Sequence, residues 1–415
     1  MQLSKKVIVS TMVGNIAEWY EFYIYGMFAA PIIAKLFLPQ DSGFIALLYA
    51  YTAFAVGFLM RPIGAIILGY FGDKYGRKKT LVSSLLLMGI PTILMAILPT
   101  YAAIGILAPL LLMIIRILQG LAVGGEIGGA TSFILEHSPT NKKNLSSALL
   151  ISSSFIALLL ASFASYLMTT IFSVQQLQDW AWRIPFVFGL VIIITGLYVR
   201  TRTQETEAFK KLKSNHQISH NPIIESFRDE WKNMLRTFLM SPLIAVLVFM
   251  GFAYMPAYTS TYLNYDFSDI LWQCSIGMIT LIISCVFFGL IADRFGGKKL
   301  LIWSSLILII SVIPIYYGLA HYPELSQLII IIFTLISGAV IAPIFANTSG
   351  LFKPKLRYTG FGISFNISVA IFGGSAPLIM TYLITKTQIN LIPAYYIIVL
   401  GIIFIATCIT LPNKK

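Results

Sequence analysis

Long apolar runs constrain this chain more than any other feature. Twelve of helical length recur along its 415 residues, near 8–34, 44–71, 80–98, 103–134, 145–172 and 184–200, then 236–263, 271–291, 300–319, 326–350, 359–384 and 391–411. About 20 apolar residues cross a bilayer core as a helix, and in lipid the backbone must satisfy its own polar groups. The runs therefore predict an all-α integral membrane protein with twelve spans. Composition agrees: only 11% of residues are charged, against roughly 25% in a soluble domain, too few to coat a water-facing fold. Cys274, Cys285 and Cys408 lie in apolar runs without metal-ligand spacing, so no disulfide framework, metal or cofactor is indicated. No cleavable signal peptide is expected, because Glu18 and Glu21 interrupt the first run. No His or Cys is placed to pair as nucleophile and base, so the chain does not read as an enzyme.

The polar stretch 201–235 divides the runs into two six-helix bundles, 1–200 and 236–415. Its composition suits a linker, with room for an amphipathic helix on the membrane surface, and not an independent domain. Cations then set an orientation. With both termini cytoplasmic, 24 of the 29 Lys and Arg fall inside, including the eight from Arg200 to Arg236 and the terminal Lys414 and Lys415. Lys35, Arg183 and Lys386 fall outside, and Arg61 and Arg116 lie within helices. Such an asymmetry follows the positive-inside rule, so the net charge of +13 reads as topology and not as a nucleic-acid surface.

An internal repeat supports the two halves. Gly69, Asp73, Lys74, Gly76, Lys78 and Lys79 after the second run match Gly289, Asp293, Arg294, Gly296, Lys298 and Lys299 after the eighth, at a constant offset of 220. Duplicated halves related by an axis along the membrane normal are a mark of secondary transporters. Glycines here allow close approach and a tight turn, and Asp73 is suited to the positive end of a neighbouring helix. Arg77, Lys78 and Lys79 suit anionic lipid or a carboxylate such as Glu136. One copy alone would read as a generic basic loop; two copies read as a gate element. A phosphate-binding P-loop is excluded, because no Ser or Thr follows the Gly-Lys.

Five ionisable residues fall within spans of the first half: Glu18, Glu21, Arg61, Arg116 and Glu126. A lone charge at the bilayer centre costs at least about 2.5–3.5 kcal/mol, so each must pair or face a wet cavity. Arg116–Glu126 and Arg61–Glu18 pairs would do no more than brace the bundle. Three acids against two arginines leave one acid over, and an unpartnered acid in an apolar span suits a reversible proton carrier. Gly120, Gly124 and Gly128, with Gly125 and Gly129, recur every four residues in the fourth run, which reads as close helix packing. The candidate cavity lining adds Asn15, Trp19, Tyr23, Gln119, Tyr254, Tyr258, Asn347 and Asn366. Tyr254, Tyr258 and Tyr262 form a stripe at helical spacing that reads first as packing; against a ligand, aromatic faces favour a quaternary ammonium group.

These motifs resemble the major facilitator superfamily, and within it the metabolite:proton symporters, which include proline/betaine, 2-oxoglutarate, citrate and shikimate carriers. The stretch Gly14-Asn15-Ile16-Ala17-Glu18-Trp19-Tyr20-Glu21-Phe22 is similar to the group's first-helix signature, with Glu21 where Asp is usual. Arg61 to Gly64, Arg116 to Glu126, Arg202 with Glu205 and Phe209, and Arg357 to Gly360 with Asn366, Gly373, Gly374 and Pro377 complete the likeness. It implies alternating access by two rocking bundles. Glu18, Glu21, Arg116 and Glu126 would handle the proton or the substrate, and Asp73, Arg77 and Asp293 would hold the outward-facing gate. The fifth run lacks Gly and Pro altogether, unlike drug antiporters of the superfamily, which favours uptake. The chain ends directly after the twelfth run, so osmotic sensing through a C-terminal coiled coil is not expected.

The reading is a monomeric proton symporter in a bacterial cytoplasmic membrane, importing a small polar organic solute. A compatible solute such as proline or betaine stands ahead of a di- or tricarboxylate. An exchanger follows, and a transporter-fold receptor that does not transport is the remote alternative.

Overall fold

Helices form wherever the apolar runs predict them, because each backbone group in lipid needs a partner within its own segment. The computed structural model describes residues 5–38 and 43–412; Lys414 and Lys415 lie outside the described residues. The first half holds helices Lys5–Phe28, Gly43–Tyr75, Arg77–Ile97, Leu107–His137, Lys143–Ile171 and Ile184–Thr201. The second holds Trp231–Val248, Phe267–Phe295, Gly297–His321, Ser326–Ile341, Arg357–Ser368 and Ile392–Ile409. We call these the first to twelfth membrane helices. Eleven spans among the described residues are long and apolar enough to cross a membrane. The twelfth is the first helix, where Asn15, Glu18 and Glu21 lower the hydropathy.

Among the described residues three membrane helices continue through π-helical turns, Ala29–Ile33 in the first, Phe249–Tyr254 in the seventh and Val369–Gly373 in the eleventh. The first two begin 220 residues apart, the offset of the loop repeat. Gly76 and Gly296, also 220 apart, precede the third and ninth helices with φ of 118° and 99°, a backbone that L side chains rarely adopt. The repeat thus extends from sequence to backbone geometry.

Within the first half the second helix packs on the fourth and the first on the fifth and sixth; in the second half the eighth packs on the tenth and the ninth on the twelfth. The halves meet along the fifth and eighth helices and along the second and eleventh. Large apolar side chains on the third, sixth, ninth and twelfth helices face outward, including Ile90, Ile194, Ile310 and Ile402, as a lipid-facing surface requires. Residues 201–235 carry two short helices, Glu207–Ser214 and Pro222–Asp229, where the sequence suggested room for one. They dock under the helix ends on one face, the linker face, with Phe209 buried.

Glycine sets the spacing of the second and fourth helices. A Cβ at Gly120 would stand 2.3 Å from the Gly57 carbonyl oxygen, and one at Gly124 would stand 2.1 Å from that of Arg61. Gly374, in contrast, has nothing within 4 Å. Gly124→Ala is therefore expected to destabilise by about 1–3 kcal/mol through overpacking, with Gly374→Ala neutral. Thermal unfolding of the purified protein in detergent measures both; equal midpoints would contradict this packing.

Candidate functional site

On the linker face the duplicated loops form two crossed latches. Asp73 of the second helix accepts from the backbone N–H of Tyr358 (3.3 Å) and Thr359 (2.9 Å) at the start of the eleventh. Asp293 of the eighth accepts from Asn144 (2.8 Å) and Leu145 (2.9 Å) at the start of the fifth. Each half thus caps a helix of the other, placing a carboxylate where the macrodipole and the free N–H groups favour it. Gly69 and Gly289 let the chains meet: a Cβ would stand 2.9 Å from Thr359 Cα and 2.6 Å from Ala148 Cβ.

The first latch is reinforced by charge. Arg77 pairs with Asp73 (3.2 Å) and Glu136 (3.3 Å) and donates to the Pro354 carbonyl; Arg357 pairs with Glu136 at 3.0 Å. Glu136 also accepts from Thr206 of the linker at 2.7 Å, while Glu205 accepts from the Lys78 N–H at the start of the third helix. Lys355 ties the tenth–eleventh loop to the linker through Glu225 at 2.8 Å. Burial pushes the Glu225 carboxyl up, but its bonds from Lys355 and Asn221 outweigh this and bring it to about 2. In the second latch Gly297 stands where Arg77 would be, and Asn347 donates to Asn144 at 3.0 Å. Arg294 is exposed.

Deeper in the first half, Glu126 pairs with Arg200 and not with Arg116, correcting the pairing read from sequence. Ten helical residues separate Arg116 from Glu126 by about 15 Å, too far to touch. Arg200, counted above with the linker cations, folds inward from the last turn of the sixth helix and is 2% exposed. A Cβ at Gly14 would stand 2.0 Å from its guanidinium, so Gly14 is its socket. Ser84 donates to Glu126 at 3.2 Å, and Glu18 lies in electrostatic contact with Glu126 and Arg200. Two carboxyls thus meet the Arg200 guanidinium, with Arg61 also in electrostatic reach of Glu18, and Glu18, Glu126 and Arg200 taken together are neutral only when one carboxyl holds a proton.

Glu21 faces Arg116 and Thr92 and lies against Gly189, where a Cβ would come within 1.6 Å of its Oε1. Arg116 lies over Tyr25 (3.9 Å) and donates to Gln119 at 2.7 Å. Arg61 lies over Trp19 (4.8 Å) and Phe58 (5.4 Å), and its Nε donates to Asn366 of the eleventh helix at 3.2 Å. Its two terminal nitrogens are buried without a hydrogen-bond partner among the described residues. Trp19 stacks on Tyr23, and Phe58 meets Phe249 of the seventh helix at 5.7 Å.

The remaining candidates are dispersed. Asn15 donates to Ser153 and Ser154 of the fifth helix, inside the first half. Tyr258 packs on Tyr316 and donates to the Asn390 carbonyl, and Tyr254 accepts from Thr381, both within the second half. Asn347 belongs to the second latch. Arg200 escaped the sequence reading because it abuts the polar linker. The signal that would have found it is its place as the only charge in the sixth run, opposite Gly14.

Residues 11–377 match the model of the Major Facilitator Superfamily. The chain belongs to this superfamily. The resemblance drawn from its motifs is thereby confirmed, and the protein is a multi-pass transporter and not an enzyme. It is 34% identical over 409 residues to a putative proline/betaine transporter of Staphylococcus aureus (strain COL), covering 96% of this chain and 86% of that one. The proline/betaine transporter of Salmonella typhimurium (strain LT2) is 33% identical over 423 residues, covering 98% and 83%. An inner membrane metabolite transport protein of Escherichia coli (strain K12) is 31% identical, covering 98% and 93%. A solved proton:xylose symporter of the superfamily shares the fold, with a TM-score of 0.78 over 97% of this chain and 94% of that one at 14% identity.

Removing one member of a buried ion pair strands the other. In this superfamily member Arg200→Met is expected to cost about 3–5 kcal/mol, and adding Glu126→Gln should restore most of it. Detergent-phase thermal unfolding reads both; an unchanged midpoint for the single variant would contradict the pairing.

Proposed function

We propose that the protein is a proton-coupled symporter that takes up a small zwitterion of the proline or betaine kind. The observation that carries this reading is the pairing of two devices in one half. The first is an acid pair sharing a single guanidinium, which suits one exchangeable proton. The second is Arg61, whose fork has no hydrogen-bond partner among the described residues and lies among Trp19, Phe58 and Asn366, with Glu18 and Tyr23 in electrostatic reach. A guanidinium fork receives a carboxylate through parallel hydrogen bonds, and an adjacent aromatic face receives an ammonium group. A zwitterion offers both ends. A di- or tricarboxylate would need further free cations, whereas Arg116 is covered by Tyr25 and Gln119.

The relatives named as proline/betaine transporters support the same substrate class. The cation asymmetry supports a cytoplasmic linker face and cytoplasmic termini in a bacterial inner membrane. The halves 1–200 and 236–415 rock about the linker 201–235. Glu18, Glu126 and Arg200 hold the proton site, Glu21 and Arg116 brace it, and the two latches gate the linker side. One chain contains every part, so a monomer suffices.

Proteoliposomes with an inward proton gradient are expected to accumulate labelled betaine or proline, and to lose accumulation when the gradient is collapsed. Arg61→Ala should raise KM at least about tenfold, equivalent to about 1.4 kcal/mol. Uptake of 2-oxoglutarate in place of either zwitterion would overturn the substrate; gradient-independent accumulation would overturn the coupling.

A further inference from the structure

Tyr358, the second residue of the eleventh helix, belongs to two structures at once. Its backbone N–H is held by Asp73, so it is part of the first latch. Its ring leaves the second half and is wedged between the second and fourth helices of the first. A Cβ at Gly72 would stand 1.9 Å from that ring, and one at Gly129 would stand 2.3 Å from the hydroxyl, so glycine alone makes the socket. Gly129 follows Glu126 by three residues and shares its face of the helix. The hydroxyl is in electrostatic contact with Glu126 of the fourth helix, Glu18 of the first, Arg200 of the sixth and Asp73 of the second. The third helix contributes the Ser84 hydroxyl to the same cluster.

The phenol oxygen is buried and has no hydrogen-bond partner among the described residues. Packing does not account for it, since phenylalanine fills the same socket without burying an unpaired polar atom. The oxygen is useful where the charge beside it changes. A phenol donates to a carboxylate, and that attraction weakens when the neighbouring acid takes up a proton. We infer that Tyr358 couples the proton site to the gate, its hydroxyl reading the charge on the Glu18–Glu126–Arg200 cluster and its backbone passing that reading to the Asp73 latch. With the cluster deprotonated and net negative, the phenol is drawn in and the eleventh helix is held closed on the linker face. Protonation neutralises the cluster, loosens the seat and favours opening. That sign returns an empty, deprotonated carrier to the closed latch and lets a loaded one release inward. The inference rests on the proton-symport reading.

The test compares wild type with Tyr358→Phe in betaine-transporting proteoliposomes. Counterflow exchange without gradients should keep its affinity. Gradient-driven accumulation should fall at least about fivefold, the lower range of a site-to-site coupling, and the pH profile of exchange should flatten. A residue that only fills space would leave all three unchanged in Tyr358→Phe, and that result overturns the inference. Gly129→Ala pushes on the hydroxyl with Tyr358 intact and should reproduce the phenotype; should Tyr358→Phe not fold, wild-type accumulation by Gly129→Ala overturns the inference instead. Wild-type accumulation that ignores the proton gradient would sink the symport reading itself, and this coupling with it.

Discussion

A charge held out of water must find its partner inside the protein, and the first half is organised around that constraint. Glu18, Glu21, Glu126, Arg61, Arg116 and Arg200 are all buried there, where lipid supplies neither counter-ion nor hydrogen bond. The glycines follow from this requirement. Gly14 and Gly189 vacate the volume that Arg200 and Glu21 occupy, so two first-half helices approach through side chains that would otherwise not fit. The aromatic rings follow as well, since Trp19, Phe22, Tyr25 and Phe58 cover guanidinium faces.

The second half carries the same backbone without that chemistry. Its positive-φ glycine and the π-helical turn of its seventh helix repeat those of the first, yet the seventh helix has Phe238 and Ser241 where the first has Glu18 and Glu21. Transport by two rocking bundles does not require both to be reactive. Within the membrane span, Asn366 and Tyr358 are second-half residues set beside buried charged groups of the first half.

The sequence was informative where a physical rule acts locally. Lipid thickness fixes helix length, so the twelve runs needed only small adjustment at their ends. The glycine spacing of the fourth helix predicted close packing, and the fold supplies the second and eleventh helices as its partners. The repeated Gly-Asp pattern pointed to paired loops. Partners distant in the chain were less legible. Arg200 looked like a linker cation because its neighbours Thr201 and Arg202 are polar, and only the fold turns it inward. Glu136 was visible as one possible partner of Arg77, but nothing in its surroundings marked it as the point where Arg77, Arg357 and Thr206 converge. Tyr258 sits in an aromatic stripe that suits either packing or a ligand, and its bond to the Asn390 carbonyl joins it to its own half.

The unequal latches have a mechanical consequence. Parting the fifth helix from the eighth and tenth breaks one charge-assisted cap, that of Asp293, and two neutral contacts, the amide pair Asn144–Asn347 and the Ser147–Ala342 bond. Parting the second and fourth helices from the eleventh also breaks the Arg357–Glu136 ion pair and the grip of Arg77 on Pro354. Charge-assisted bonds resist separation roughly twice as strongly as neutral ones. The linker face therefore has a weaker edge and a stronger one, and the stronger is the edge at which Tyr358 sits.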